Sequence, residues 1–215
     1  MRNRFSSNLI TRHIRDYSSI YTFIMVLFLM GIIFGAVLVN SLSAPQKEDL
    51  FYYLNQYFTK VSAGETASSE ELFKLSLLHN IKFTGLMWVL GISIIGFPLI
   101  FILIFIKGIV VGFSVGFLVN QMGWNGLLLS FVSLFPQNLF IIPVIIFIGA
   151  CSVGFSMMLI RKIFIRKSIT FQLTPIFSKY ILAFIAAVAI LTIAASVEAY
   201  IAPALMKTII TSISN

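Results

Sequence analysis

Long apolar runs separated by short charged segments organise this chain. The runs are Ile20–Val39, Phe83–Ile106, Gly108–Phe135, Leu139–Ile160 and Tyr180–Ile201. A helix rising 1.5 Å per residue needs about 20 apolar residues to cross the hydrocarbon of a bilayer. The first, second, fourth and fifth runs meet that length unaided. The third is interrupted by Asn120-Gln121-Met122-Gly123-Trp124-Asn125-Gly126, which predicts a crossing helix from Gly108 followed by a short re-entrant or interfacial piece over Leu127–Phe135. The predicted fold class is therefore all-α: an integral membrane helical bundle of about five transmembrane helices, forming a single membrane domain over residues 1–215.

The segments between the runs carry weaker patterns. Within Phe5–Tyr17, Leu9, Ile10, His13, Ile14 and Tyr17 share one side and arginines the other, as in a helix lying at a membrane interface. Between residues 42 and 80, Asp49–Val61 spaces Leu50, Phe51, Leu54, Phe58 and Val61 near helical periodicity. Ser68 and Glu71 stand at capping-box spacing ahead of Leu72, Leu75 and Leu78. Two short surface helices are expected, too small for a core of their own. Phe51, Tyr52, Tyr57 and Phe58 are the candidate partner-facing residues.

Composition excludes a soluble fold: 59% of the residues are hydrophobic and 10% charged, too few polar side chains to coat a core. The net charge of +8 forms no nucleic-acid face, because the basic residues sit in short segments between apolar runs. Residues 1–19 carry four Arg against Asp16, and residues 161–179 carry five basic residues and no acid. Residues 42–80 carry five acids against three Lys. The positive-inside rule makes the first two cytoplasmic and the third extracytoplasmic, with Lys107 in a cytoplasmic connection and the C-terminus outside. The first run is too long for a signal-peptide core, and Pro45 follows the one Ala of the candidate cleavage site, so an uncleaved first span is expected. Cys151 lies within an apolar run and reads as a small hydrophobe.

Little in the sequence suggests catalysis. No HExxH pair occurs, no Asp falls within a run, and His13 and His79 lie on opposite sides of the expected topology. No nucleotide motif is present. No enzyme activity and no cofactor or metal are expected. Glu198 stands out as a carboxylate inside the fifth run, opposed by the helix dipole and costing roughly 2–3 kcal/mol to bury unpaired. One reading makes it a gating or partner-binding carboxylate. The preferred one makes it an intramembrane polar pin, hydrogen-bonded within a cluster of Asn40, Asn120, Gln121, Asn138 and Lys82, because a lone carboxylate without a polar path is a poor ion pathway. Gly31 and Gly35, with Gly108, Gly112 and Gly116, repeat at four-residue spacing and form candidate helix-packing ridges.

Four segments carry a resemblance: Phe28–Asn40 (FLMGIIFGAVLVN), Asp49–Leu54 (DLFYYL), Gly85–Asn138, and Glu198–Pro203 (EAYIAP). Together they resemble the stage II sporulation protein M family of endospore-forming bacteria, from about Arg12 to about Met206. The resemblance implies a non-enzymatic membrane scaffold of the engulfment complex, on the mother-cell side of the sporulation septum. It implies two partners besides the lipid bilayer: a membrane-attached peptidoglycan amidase/endopeptidase and a lytic transglycosylase. It supplies no catalytic residues, and the family's recurrent Glu falls on Glu198. The alternative from another functional class is a channel or permease-like subunit with Glu198 in its path. Against it, transporters usually pair two broken helices, and the one broken run here has no counterpart.

Overall fold

The computed structural model describes residues 17–63, 68–93, 95–164 and 174–206, with the side chains at 58, 61–63, 162–164 and 174–175 outside that description. Every regular element among the described residues is helical. The expected interfacial helix over Phe5–Tyr17 lies almost wholly outside them, as does most of the basic segment between the last two helices. Helix α1 (Ser18–Leu38) ends in a 3₁₀ turn, Val39–Ser41. Helix α2 spans Ala44–Ala63, α3 Ser69–Gly91 and α4 Gly96–Phe164. Helix α5 (Thr174–Ser196) runs into a π-helical turn, Val197–Ile201. Among the described residues, three helical stretches are long and apolar enough to cross a membrane: Ser18–Ser41, Gly96–Arg161 and Ile176–Met206.

Helix α1 is apolar on all sides, so its packing is decided by side-chain size. Its buried positions are Tyr21, Ile24, Phe28, Gly31 and Gly35, a stripe at alternating spacings of three and four, while Leu29 and Ile33 are exposed. The stripe lies against α4. A Cβ placed on Gly31 would stand 3.1 Å from Gly108 Cα, and one on Gly116 would stand 3.0 Å from Ala36 Cα. Beside Gly112 the first obstacle is the Ile32 carbonyl, and beside Gly35 that of Ile109. The two glycine ridges therefore face each other, and backbone meets backbone along the seam.

Helix α4 is two helices. Its 69 residues would extend for about 100 Å if straight, over three times the roughly 30 Å hydrocarbon thickness of a bilayer. The chain reverses at Gly123, whose φ of 57° and ψ of −128° are open to glycine and strained for other residues. Leu118 and Leu129 pack together across the reversal, although on a straight helix they would be about 16 Å apart. Further from the turn, Gly149 faces Ile104. The two limbs thus run antiparallel. The expected interruption over residues 120–126 contracts to one residue, and Leu127–Phe135 is continuous with the helix that follows rather than a separate re-entrant piece.

The expected run Phe83–Ile106 is corrected more substantially. It is not one helix, because α3 stops at Gly91 and α4 starts at Gly96. Gly91 is pressed against Ser152 and the Tyr180 hydroxyl, and a side chain at Gly96 would collide with the Leu90 carbonyl. The Ile95 N–H is held by Ser93 Oγ at 3.3 Å, and Pro98 lies in the first turn of α4, where its missing N–H costs nothing. Apolar composition hides this turn, since Ile92 and Ile95 continue the hydrophobic run. A second correction follows: Lys107 lies twelve positions inside a continuous helix, not in a connection between two.

Helix α3 begins with the expected capping box. Ser68 Oγ accepts from the Glu71 N–H at 3.2 Å, and the Ser68 N–H donates to Glu71 Oε2 at 3.3 Å. The helix is not a short surface piece, however, but continues to Gly91. It lies antiparallel to α5: Ser76, near its start, meets Glu198 at the end of α5, and Trp88, near its end, meets Tyr180. Tyr180 donates its hydroxyl to the Trp88 carbonyl at 2.7 Å, and the Trp88 indole donates to the Tyr180 carbonyl at 3.3 Å. Their rings stack at 5.3 Å, with Phe155 on the other face of Tyr180 at 4.6 Å. Ile100, Ile104, Ile145, Ile148 and Leu191 fill the core between these helices.

Candidate functional site

One end of the apolar bundle forms an open cavity of about 890 Å³, largely apolar in its lining but with a group of polar side chains. Each element places its contribution by simple periodicity. On α3 the buried stripe is Ser76, Asn80, Thr84, Met87 and Gly91, polar toward the cavity and apolar beyond it. The first limb of α4 contributes Lys107 and Ser114, and the second contributes Ser133, Gln137 and Asn138. Helix α2 covers one side through Tyr53, Leu54 and Tyr57.

Glu198 enters the cavity from the π-helical turn. Such a turn carries one residue more than an α-turn, which rotates the side chains within it. Here Ala202 N–H bonds back to the Val197 carbonyl, and Pro203 has no N–H to return to Ala199. The carboxylate accepts from the Ser76 hydroxyl. It also accepts from Gln137, at 2.9 Å to Oε1, when the amide is oriented to satisfy both groups, an assignment made from the network. Asn80 in turn donates to the Ser76 carbonyl at 3.0 Å. Three helices thus meet at one carboxylate.

Lys107 shares the cavity, half-buried, with its ammonium 5.4 Å from the centroid of the Phe83 ring. It attracts Glu198 electrostatically but is not in ion-pair contact with it; among the described residues the one ion pair is Lys74–Glu70. Burial and the neighbouring Glu198 carboxylate both raise the pKa of the Tyr57 phenol above its ordinary value.

The residues expected to surround Glu198 lie elsewhere, with one exception. Asn40 is exposed in the 3₁₀ turn and Lys82 is exposed on α3. Gln121 and Asn120 lie beside the Gly123 reversal, in long contact with each other at 3.5 Å. None of these four is a hydrogen-bond partner of Glu198. Asn138 does line the cavity, but its amide donates to the Leu134 carbonyl at 2.8 Å. The expectation sorted polar residues by their position along runs whose boundaries have shifted. Ser76, Gln137 and Lys107 were missed. Ser76 and Asn80, four residues apart among leucines, were the available signal for α3. The absence of any turn-forming residue before Lys107 was the signal that it sits within a helix.

Of the aromatic residues on α2, Tyr52 is exposed and faces away from the cavity, Phe51 is half-buried, and Tyr57 lines the cavity wall. The Phe58 side chain lies outside the description.

Helices of this length and apolarity, closed around an internal polar network, define an all-helical membrane protein. The sequence model for stage II sporulation protein M matches residues 24–203. The chain belongs to that family and is a sporulation-related membrane protein. No curated protein and no solved structure matches it.

Proposed function

We propose that this protein is a non-enzymatic scaffold of the engulfment machinery, seated in the cell membrane at the sporulation septum on the mother-cell side. In this role it holds a peptidoglycan amidase/endopeptidase and a lytic transglycosylase, both membrane-attached, where the cell wall is remodelled. The observation that carries the reading is the family match across residues 24–203. The exposed Tyr52 and Tyr53 of α2 support it, since rigid amphipathic rings are favoured at protein interfaces.

The topology that accompanies this role has five crossings: α1, α3, the two limbs of α4, and α5, with the N-terminus cytoplasmic. Helix α3 has 23 residues and so reaches about 34 Å, enough to cross despite its charged first turns. The exposed Trp124 beside the Gly123 reversal suits a membrane–water interface. Placing α2 outside presents its tyrosines to the compartment in which wall hydrolases act.

The test is photocrosslinking from position 52 or 53 in sporulating cells. Capture of both hydrolases is expected, and capture of neither, with the protein correctly inserted, counts against the scaffold. A permease-like subunit is the second reading, favoured by the position of Glu198 in a cavity that also holds Lys107. Substrate flux abolished by Glu198→Gln in a folded protein would select it.

A further inference from the structure

The cavity contains two opposite charges that do not neutralise each other by contact. Glu198 is held at one side by Ser76 and Gln137. Among the described residues, Lys107 meets the Phe83 ring and has no anion in ion-pair contact with its ammonium. A half-buried ammonium in an apolar bundle is costly without an acceptor. Uncharged groups that can hydrogen-bond a ligand, Ser114, Ser133 and Asn80, lie in the same cavity.

Leu75 and Val110 line the cavity and are also strongly exposed, at 71% and 53%. Val110 is one helical turn from Lys107, so an exposed apolar side chain lies close to the level of the ammonium. It belongs to the apolar stretch Gly96–Arg161. The cavity thus has an exposed apolar flank on a stretch apolar enough to cross a membrane, and charged groups within it.

We propose that this cavity binds the headgroup of a zwitterionic phospholipid, with the phosphate at Lys107, the ammonium at Glu198 and the acyl chains leaving past Leu75 and Val110. A largely apolar lining that carries a few charged and polar groups suits an amphiphile. Two separated charges of opposite sign suit a head that carries both. The volume lies within the range of ordinary ligand sites. The site shares Tyr53 with the α2 surface assigned to the hydrolases, but its occupation does not require that assignment.

Native mass spectrometry of the full chain in detergent tests this. Phosphatidylethanolamine and phosphatidylglycerol with identical acyl chains are supplied at equal concentration, with soluble glycerophosphoethanolamine as a competitor. The wild-type chain should retain phosphatidylethanolamine by about tenfold over phosphatidylglycerol, the scale of one charge-assisted hydrogen bond. Glu198→Gln should abolish the preference, whereas Lys107→Gln, which removes the contact to the phosphate that both lipids carry, should weaken retention of both. Lys107→Arg should keep phosphate binding, and Ser114→Leu, which fills the cavity, should release the lipid. Equal retention of the two lipids by the wild-type chain overturns the proposal without reference to any variant. So does a preference that survives in Glu198→Gln, or retention of both lipids unchanged in Lys107→Gln, with an unchanged melting temperature. Displacement of the whole lipid by the soluble headgroup at equal concentration would assign the site to a water-borne zwitterion and overturn the lipid.

Discussion

The Ser76 hydroxyl donates to the Glu198 carboxylate across 122 positions of sequence, joining the outset of one helix to the end of its antiparallel neighbour. The bond satisfies a carboxylate set within a helical stretch that continues to Met206, and the Gln137 amide completes the set.

Removing the acceptor should therefore loosen three helices together. Glu198→Ala leaves a hydroxyl and an amide without their partner and should lower stability by about 1–2 kcal/mol. Glu198→Gln preserves an acceptor and should remain within a few tenths of a kcal/mol of the wild type. Thermal melts of both variants in the same detergent measure this. A fully stable alanine variant would show that the carboxylate does not hold the helices.

The α1–α4 seam should be intolerant of any side chain. At Gly112 even a methyl group meets the Ile32 carbonyl, so Gly112→Ala should cost about 1–3 kcal/mol and Gly112→Leu should abolish accumulation. Membrane-fraction immunoblots with a melt of the alanine variant provide the measurement. Normal accumulation of the leucine variant would mean that the helices do not approach as described.

Gly123 should fail for a different reason. A Cβ there meets nothing, so space is ample, but the backbone conformation is strained for any L-residue. Gly123→Ala should lose about 1–3 kcal/mol. Gly116→Ala, in the same limb but limited by contact rather than conformation, is the natural comparison.

Accessibility distinguishes the two placements of Lys107. In a Cys151-free background, a cysteine at Ser93, in the α3–α4 turn, should react with a reagent confined to the cytoplasmic side. A cysteine at Lys107 should not. Fast cytoplasmic labelling at 107 would return that residue to a connection between helices.

The sequence announced the helical class and the glycine ridges plainly, because both are matters of composition and period. Nothing there said that the ridges would meet each other, since spacing marks a close approach without identifying the partner. The α3–α4 turn was illegible because its residues are themselves apolar, and hydrophobicity alone does not distinguish a tight turn from a continuing helix. That misplacement moved Lys107 out of the bundle. The carboxylate at Glu198 was visible as an anomaly, but its partners were not. Serine and glutamine in an apolar run are weak signals until a helix pairing brings them to one point.

The reversal at Gly123 also bears on how such a chain enters a bilayer. Two limbs joined through a single residue leave no room for a soluble loop, so neither can settle at its final depth while the other waits in water. They are expected to enter as a helical hairpin. Ser133, Gln137 and Asn138 on the trailing limb would then meet the polar face of the leading limb, rather than lipid, during insertion. One glycine thereby makes the passage of three polar side chains a joint event of both limbs.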